Sequence, residues 1–131
     1  MWFSFKKKKK KDYYFYVVDD VREQTKVIRS ILRSKFDADV EIFQSPIKLL
    51  KSLKRPHHIS PDMIIADLKM PEMTGLELRT ELLDLGFSIP FVFITSAGAE
   101  EIVASDTIML SKPIDVSKLA YHIDYLLKRS A

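Results

Sequence analysis

The sequence predicts an α/β fold, a five-stranded parallel sheet with helices packed on both faces. Two observations carry that expectation. Five short runs are rich in apolar, aromatic and β-branched residues, namely YYFYVV (13–18), VEIF (40–43), DMIIA (62–66), FVFI (91–94) and TIML (107–110). Such runs suit strands covered on both sides. Between them lie segments whose apolar residues recur at helical spacing, the alternation of a sheet built from strand–helix–strand crossovers.

After the first strand, VREQTKVIRSILRSKF (21–36) places Val27, Ile28, Ile31 and Leu32 on one stripe of an amphipathic helix, with Arg and Lys elsewhere. Beyond the second strand, Ser45-Pro46 offers a capping hydroxyl and a first-turn proline to a helix with Ile47, Leu50 and Leu53 on one face. Arg55 to Pro61 is a polar loop, followed by the third strand. A helix from about Thr74 carries Leu76, Leu78, Leu82 and Leu83, and Pro90 introduces the fourth strand. The next stretch, TSAGAEEIVASD (95–106), is too short for a long helix and two connections, so a fourth helix there should be shortened, irregular or missing. After the fifth strand, Asp115 caps a last helix with Val116, Leu119, Ile123, Leu126 and Leu127 inward.

The 131 residues fit a single domain over 13–131, large enough to bury a core without disulfides or a structural metal. The absence of cysteine excludes a disulfide scaffold, a thiolate metal site and a Cys nucleophile. It suits a reducing compartment, and a cytoplasmic location is expected. Six of the positive charges form the run Lys6–Lys11, and taking six from the net +3 leaves −3 for the rest. The domain proper is mildly acidic, and no nucleic-acid contact is expected of it.

The lysine run lies in MWFSFKKKKKK. It suits a weak membrane-surface contact through Lys6–Lys11, with Trp2, Phe3 and Phe5 entering the interface. A solvated, disordered tail over 1–12 is the favoured alternative, because like-charge blocks usually stay solvated. The following YYFYVV runs straight into Asp19 and Asp20 with no small-residue cleavage site, so export is not expected. No stretch approaches the roughly 18 consecutive apolar residues of a membrane span. The three glycines, at 75, 86 and 98, make no G-x-G-x-x-G or phosphate-loop pattern, which disfavours a nucleotide-binding domain.

In a sheet of this type, function collects at the carboxyl ends of the strands. The first strand delivers Asp19 and Asp20 there, the third Asp67, the fourth Thr95 and Ser96, and the fifth Lys112. Clustered carboxylates repel one another unless a cation sits among them. An oxygen-only ligand set suits Mg²⁺ or Mn²⁺. Asp67 then stays ionised and nucleophilic, while Lys112 and the Thr95 hydroxyl can neutralise a transferred phosphoryl group.

The paired acids VVDD (17–20), the segment DLKMPEMTG (67–75), Thr95 after FVFI, and Lys112-Pro113 after the last strand stand in an order that resembles a response-regulator receiver domain of two-component signalling. The likeness covers roughly residues 13–129. It implies the flavodoxin/CheY-like doubly wound (βα)5 sandwich. It also implies that Asp67 accepts a phosphoryl group from a histidine kinase or histidine phosphotransfer protein. By the same likeness, Mg²⁺ is held by Asp20, Asp67 and the backbone carbonyl of Lys69, with Asp19 acting mostly through a bound water. Thr95 is the phosphate-sensing hydroxyl and Lys112 the cationic phosphate contact. Such a domain is no enzyme beyond catalysing its own phosphoryl transfer and dephosphorylation.

No effector sequence follows KRSA, so a stand-alone receiver is expected, acting on a downstream protein target, by phosphate relay, or through a homodimer. Three features depart from the family. The interval from Thr95 to Lys112 is shorter than usual. Met109 stands where a switching aromatic is usual; it packs adaptably but has no ring to switch, and plain core is the simpler reading. Lys69, two residues after the acceptor, could reach over the pocket; a phosphatase-like hydrolase would carry an acid there. The alternative is a degenerate receiver that keeps the fold as a constitutive binding module.

Overall fold

The computed structural model describes residues 10–96 and 101–130. The first nine residues, and with them Lys6 to Lys9 of the basic run, lie outside the described residues, as do 97–100. The elements run β1 (Tyr13–Val18), α1 (Arg22–Lys35), β2 (Ala38–Phe43), α2 (Pro46–Lys54), β3 (Met63–Asp67), α3 (Gly75–Asp84), β4 (Phe91–Thr95), β5 (Glu101–Ala104), β6 (Thr107–Ser111) and α4 (Val116–Ser130).

The strands form one sheet in the order β2-β1-β3-β4-β6-β5, parallel except for β5. Alternating side chains divide the interior into two cores. Phe15, Val17, Ile65 and Ile94 pack beneath α1 and α4, against Ile28, Leu32, Leu119 and Ile123. Tyr16, Val18, Ile64 and Phe93 pack beneath α2 and α3, against Leu49, Leu53, Leu78 and Leu82. The sheet is thus wound on both faces, in agreement with the α/β class read from the buried strands.

Caps form where polar residues precede the helices. Ser45 accepts from the Lys48 N–H, Thr74 and Glu77 make a reciprocal capping box, and Asp115 accepts from the Lys118 N–H. The expectation of five strands needs extension. The short stretch before Lys112 holds no helix among the described residues and contributes β5, a sixth strand antiparallel to β6. The helical stripes also need trimming. Val27, Leu76, Leu83 and Val116 face solvent, and Leu49 takes an inward position on α2. Each exposed residue lies at the margin of its stripe, where periodicity alone cannot separate the core from its rim.

Candidate functional site

The register of the central strands builds the site. Val18 of β1 pairs with Ala66 of β3, so the next residues, Asp19 and Asp67, emerge side by side where the apolar interior ends. Asp67 in turn pairs with Ile94, and the following Thr95 pairs with Ser111. The Lys112 N–H donates to the Thr95 carbonyl at 2.7 Å, carrying the β4–β6 ladder one residue further. Four strands thereby bring their terminal polar residues to one edge.

Asp19, Asp20 and Asp67 each offer a carboxylate oxygen, and these oxygens lie within 4.8 Å of one another. The Lys112 ammonium is 3.3 Å from Asp67 Oδ2 and 4.0 Å from Asp19 Oδ2. Lys112 is thus ion-paired with two of the three acids. Asp19 is 2% exposed, and its Oδ1 accepts from the Val21 N–H at 2.9 Å. Burial first, then the neighbouring Asp67 and Asp20, push its carboxyl up to about 6 against the pull of that N–H and of Lys112. A second positive charge among these oxygens would relieve both causes. The donors are hard oxygens, the set that suits a hydrated divalent cation of the Mg²⁺ kind.

The loop after β3 orients the central acid. The Lys69 N–H donates to Asp67 Oδ1 at 3.2 Å, so each Asp67 oxygen has one protein donor. The Lys69 side chain is exposed. Gly75 folds the loop back, donating from its N–H to the Leu68 carbonyl at 2.9 Å. A Cβ there would stand 2.7 Å from the Asp67 carbonyl oxygen and 2.9 Å from a Phe93 ring carbon, so the close approach requires glycine.

The structure brings Asp19, Asp20, Asp67 and Lys112 into direct neighbourhood, and it places Thr95, buried, at the end of the adjoining strand. Met109 is buried in the core beneath α2 and α3, in register with Phe93. Two supports were not anticipated from the residues. Ser45 Oγ donates to Glu72 Oε1 at 2.5 Å, tying the start of α2 to the loop after Asp67. Met70 seats that loop in the core. The apolar Leu68, Met70 and Met73 were the local signal of this anchoring, while the Ser45–Glu72 pairing across 27 residues leaves no local pattern.

Comparison with known proteins gives the family and the fold. The family model described as response regulator receiver domain matches residues 15–124. The response regulator protein TodT of Pseudomonas putida strain F1 is 33% identical over 82 residues, covering 63% of this chain and 34% of that protein. The transcriptional regulatory protein NatR of Bacillus subtilis is 28% identical over 116 residues, covering 86% of this chain and 49% of that one. The chain therefore spans about a third to a half of these relatives. Among solved structures, the receiver domain of the Francisella response regulator 1452 superposes with a TM-score of 0.75 at 17% identity, over 92% of this chain and 100% of that one.

Proposed function

Because the chain belongs to the family of response-regulator receiver domains, we propose that it is a phospho-acceptor signalling module in which Asp67 takes a phosphoryl group from a histidine kinase or a histidine phosphotransfer protein. The observation that carries this reading is the Lys112 ammonium set 3.3 Å from Asp67 Oδ2 beside two further acids. That arrangement gives a carboxylate nucleophile an adjoining positive charge.

In the transfer, an Asp67 oxygen forms a bond to phosphorus as the bond from phosphorus to the donor histidine nitrogen breaks, and the nitrogen keeps the electron pair. Lys112 turns from the carboxylate to the charge on the phosphoryl oxygens. The buried Thr95 hydroxyl, at the end of the neighbouring strand, senses the new group. Asp20, Asp67 and the Lys69 carbonyl would hold Mg²⁺ or Mn²⁺, with Asp19 acting through water, and the cation would neutralise phosphoryl charge. The exposed Lys69 side chain, two residues after the acceptor, tunes the lifetime of the acyl phosphate.

Residues 13–131 form a single receiver unit behind the polybasic stretch. It works in the cytoplasm, through a downstream protein target, by relaying phosphate, or as a homodimer. A second reading, a receiver that binds partners without switching, has one observation in its favour. Met109 is buried core and has no ring to move when Thr95 does.

Beryllofluoride, a phosphoryl mimic, added with and without Mg²⁺ and followed by residue-resolved NMR, separates the two. Metal-dependent shifts in the wild type that vanish in Asp67→Asn are expected; no binding at millimolar Mg²⁺ would favour the non-switching module. In Lys69→Ala the dephosphorylation rate should change several-fold, and an unchanged rate would remove Lys69 from the mechanism.

A further inference from the structure

The clustered acids come from two different strand ends, so the fold must fix their separation. The β1–β3 ladder does this up to its last pair, Val18 and Ala66, and Asp19, Asp20, Asp67 and the Lys69 carbonyl all lie beyond it. Past that pair the turn after β2 takes over. The Asp19 N–H donates to the Phe43 carbonyl at 3.1 Å, continuing the β1–β2 pairing beyond Val18. Two residues on, Ser45 Oγ donates to Glu72 Oε1 at 2.5 Å, in the loop that follows Asp67. The turn 43–45 is therefore bonded on one side to the strand that presents Asp19 and Asp20, and on the other to the loop that contains Lys69.

Both ends of this brace are anchored. Ser45 caps α2: its Oγ accepts from the Lys48 N–H at 3.4 Å, its carbonyl accepts from the Leu49 N–H at 3.2 Å, and Pro46 opens the helix behind it. With a lone pair engaged by the cap, the hydroxyl still has its proton to give, and Glu72 takes it. On the loop side, Met70 is packed in the core and the Gly75 N–H returns to the Leu68 carbonyl, so Glu72 lies between two fixed points. Glu72 is exposed, and among the described residues its carboxylate forms no ion pair. A charged acceptor makes this hydrogen bond stronger than one between neutral groups. Neither Ser45 nor Glu72 belongs to the clustered oxygens, so both act on them through the backbone.

We propose that Ser45 and Glu72 are positioning residues that set the cation affinity of the acidic edge, by holding the loop after Asp67 at a fixed separation from Asp19 and Asp20. The inference rests on the phospho-acceptor reading of that edge. Mg²⁺ demands near-ideal octahedral geometry at short metal–oxygen distances and tolerates little displacement of its ligands, whereas Ca²⁺ accepts looser sites. Hydrogen bonds that orient metal ligands from outside the ligand set are commonly worth about 10- to 100-fold in affinity. The Ser45–Glu72 bond acts one step further out, on the loop rather than on a ligand atom, so its loss belongs at the lower end of that range and falls on Mg²⁺ more than on Ca²⁺.

The test is titration of the full chain with Mg²⁺ and, separately, with Ca²⁺, followed by residue-resolved NMR in wild type, Glu72→Ala and Glu72→Gln. Glu72→Ala leaves the α2 cap untouched and should weaken Mg²⁺ binding about tenfold, with a smaller loss for Ca²⁺. Glu72→Gln keeps an acceptor oxygen and should restore most of the affinity. Without metal, amides of 68–73 should exchange faster in Glu72→Ala while those of β1 and β3 do not change. Ser45→Ala should match Glu72→Ala, and the double variant should lose no more than either, as one shared bond requires; if loss of the cap unfolds Ser45→Ala, the two Glu72 variants carry the test. Equal Mg²⁺ affinity in wild type and Glu72→Ala would overturn the positioning role, and so would a loss in Glu72→Gln as large as in Glu72→Ala, which would assign the effect to the charge of Glu72. A wild type that binds neither cation would overturn the reading of the acidic edge itself, and this inference with it.

Discussion

The acidic edge and the chain between β4 and β6 belong to the same sheet, yet they are held in different ways. At the acidic edge, Asp19 and Asp67 follow strand residues with almost no exposure, Val18 and Ala66, in the sheet interior. Their orientation is fixed by backbone N–H groups from Val21 and Lys69. Beyond β4, the chain forms a four-residue edge strand whose pairing to β6 shifts register between Ile102 and Ala104. Ile102 is 79% exposed, and the turn into β6 is held from the side by Arg79, which reaches Asp106 at 3.5 Å and Thr107 Oγ1 at 3.1 Å. The candidate site thus follows fully buried strand residues of the sheet. The segment that replaces a helix sits on its least supported edge, where local opening should cost least.

Substitutions on the two sides should separate accordingly. The largest effect is expected for Gly75→Ala, whose Cβ meets the Asp67 carbonyl oxygen at 2.7 Å; the rigid backbone must yield, at a cost of about 1–3 kcal/mol. Chemical denaturation should show the loss, and NMR shifts should centre on Asp67. A melt like that of the wild type would mean the acidic edge is softer than its packing indicates.

Asp19→Asn should act in the opposite direction. Its carboxyl is raised to about 6, mainly by burial, so its charge costs stability. That cost is absent below the unfolded value near 4, grows as pH rises, and is complete above 6. Without metal, the variant should therefore be stabilised by about 1–2 kcal/mol at pH 7.5 and hardly at all at pH 3.5, as thermal melts at both would report. The wild type should also lose Mg²⁺ affinity as pH falls through 6. A gain independent of pH would mean that the charge of Asp19 is not what burial penalises.

The smallest effect belongs to the edge strand. Ile102→Ala should change stability by under about 0.5 kcal/mol, because the side chain is mostly in water. Amides of 101–104 should exchange faster than those of β4. A loss above about 1 kcal/mol would show that β5 is integral to the fold and would erase the contrast.

The sequence by itself determined the alternation of strands and helices, the double winding and the place of the acids. These follow from local patterns: continuous apolar runs, stripes at helical spacing, and charges set where those runs stop. Asp67 after MIIA and Lys112 after TIMLS needed no tertiary information to reach a strand end. Tertiary structure decided what depends on distant partners. EIVA is too short for its periodicity to choose between helix and strand, and it became β5 because β6 offered a free edge. Asp19 and Asp20 look alike in sequence, but Asp19 is buried and Asp20 exposed, and that burial raises the Asp19 carboxyl. The fold likewise brings Lys48 of α2 to the same groove as Arg22, Lys26 and Arg29 of α1, which no local pattern shows. Periodicity is a property of neighbours in the chain, whereas burial, pairing at an edge and the summing of charge are properties of neighbours in space.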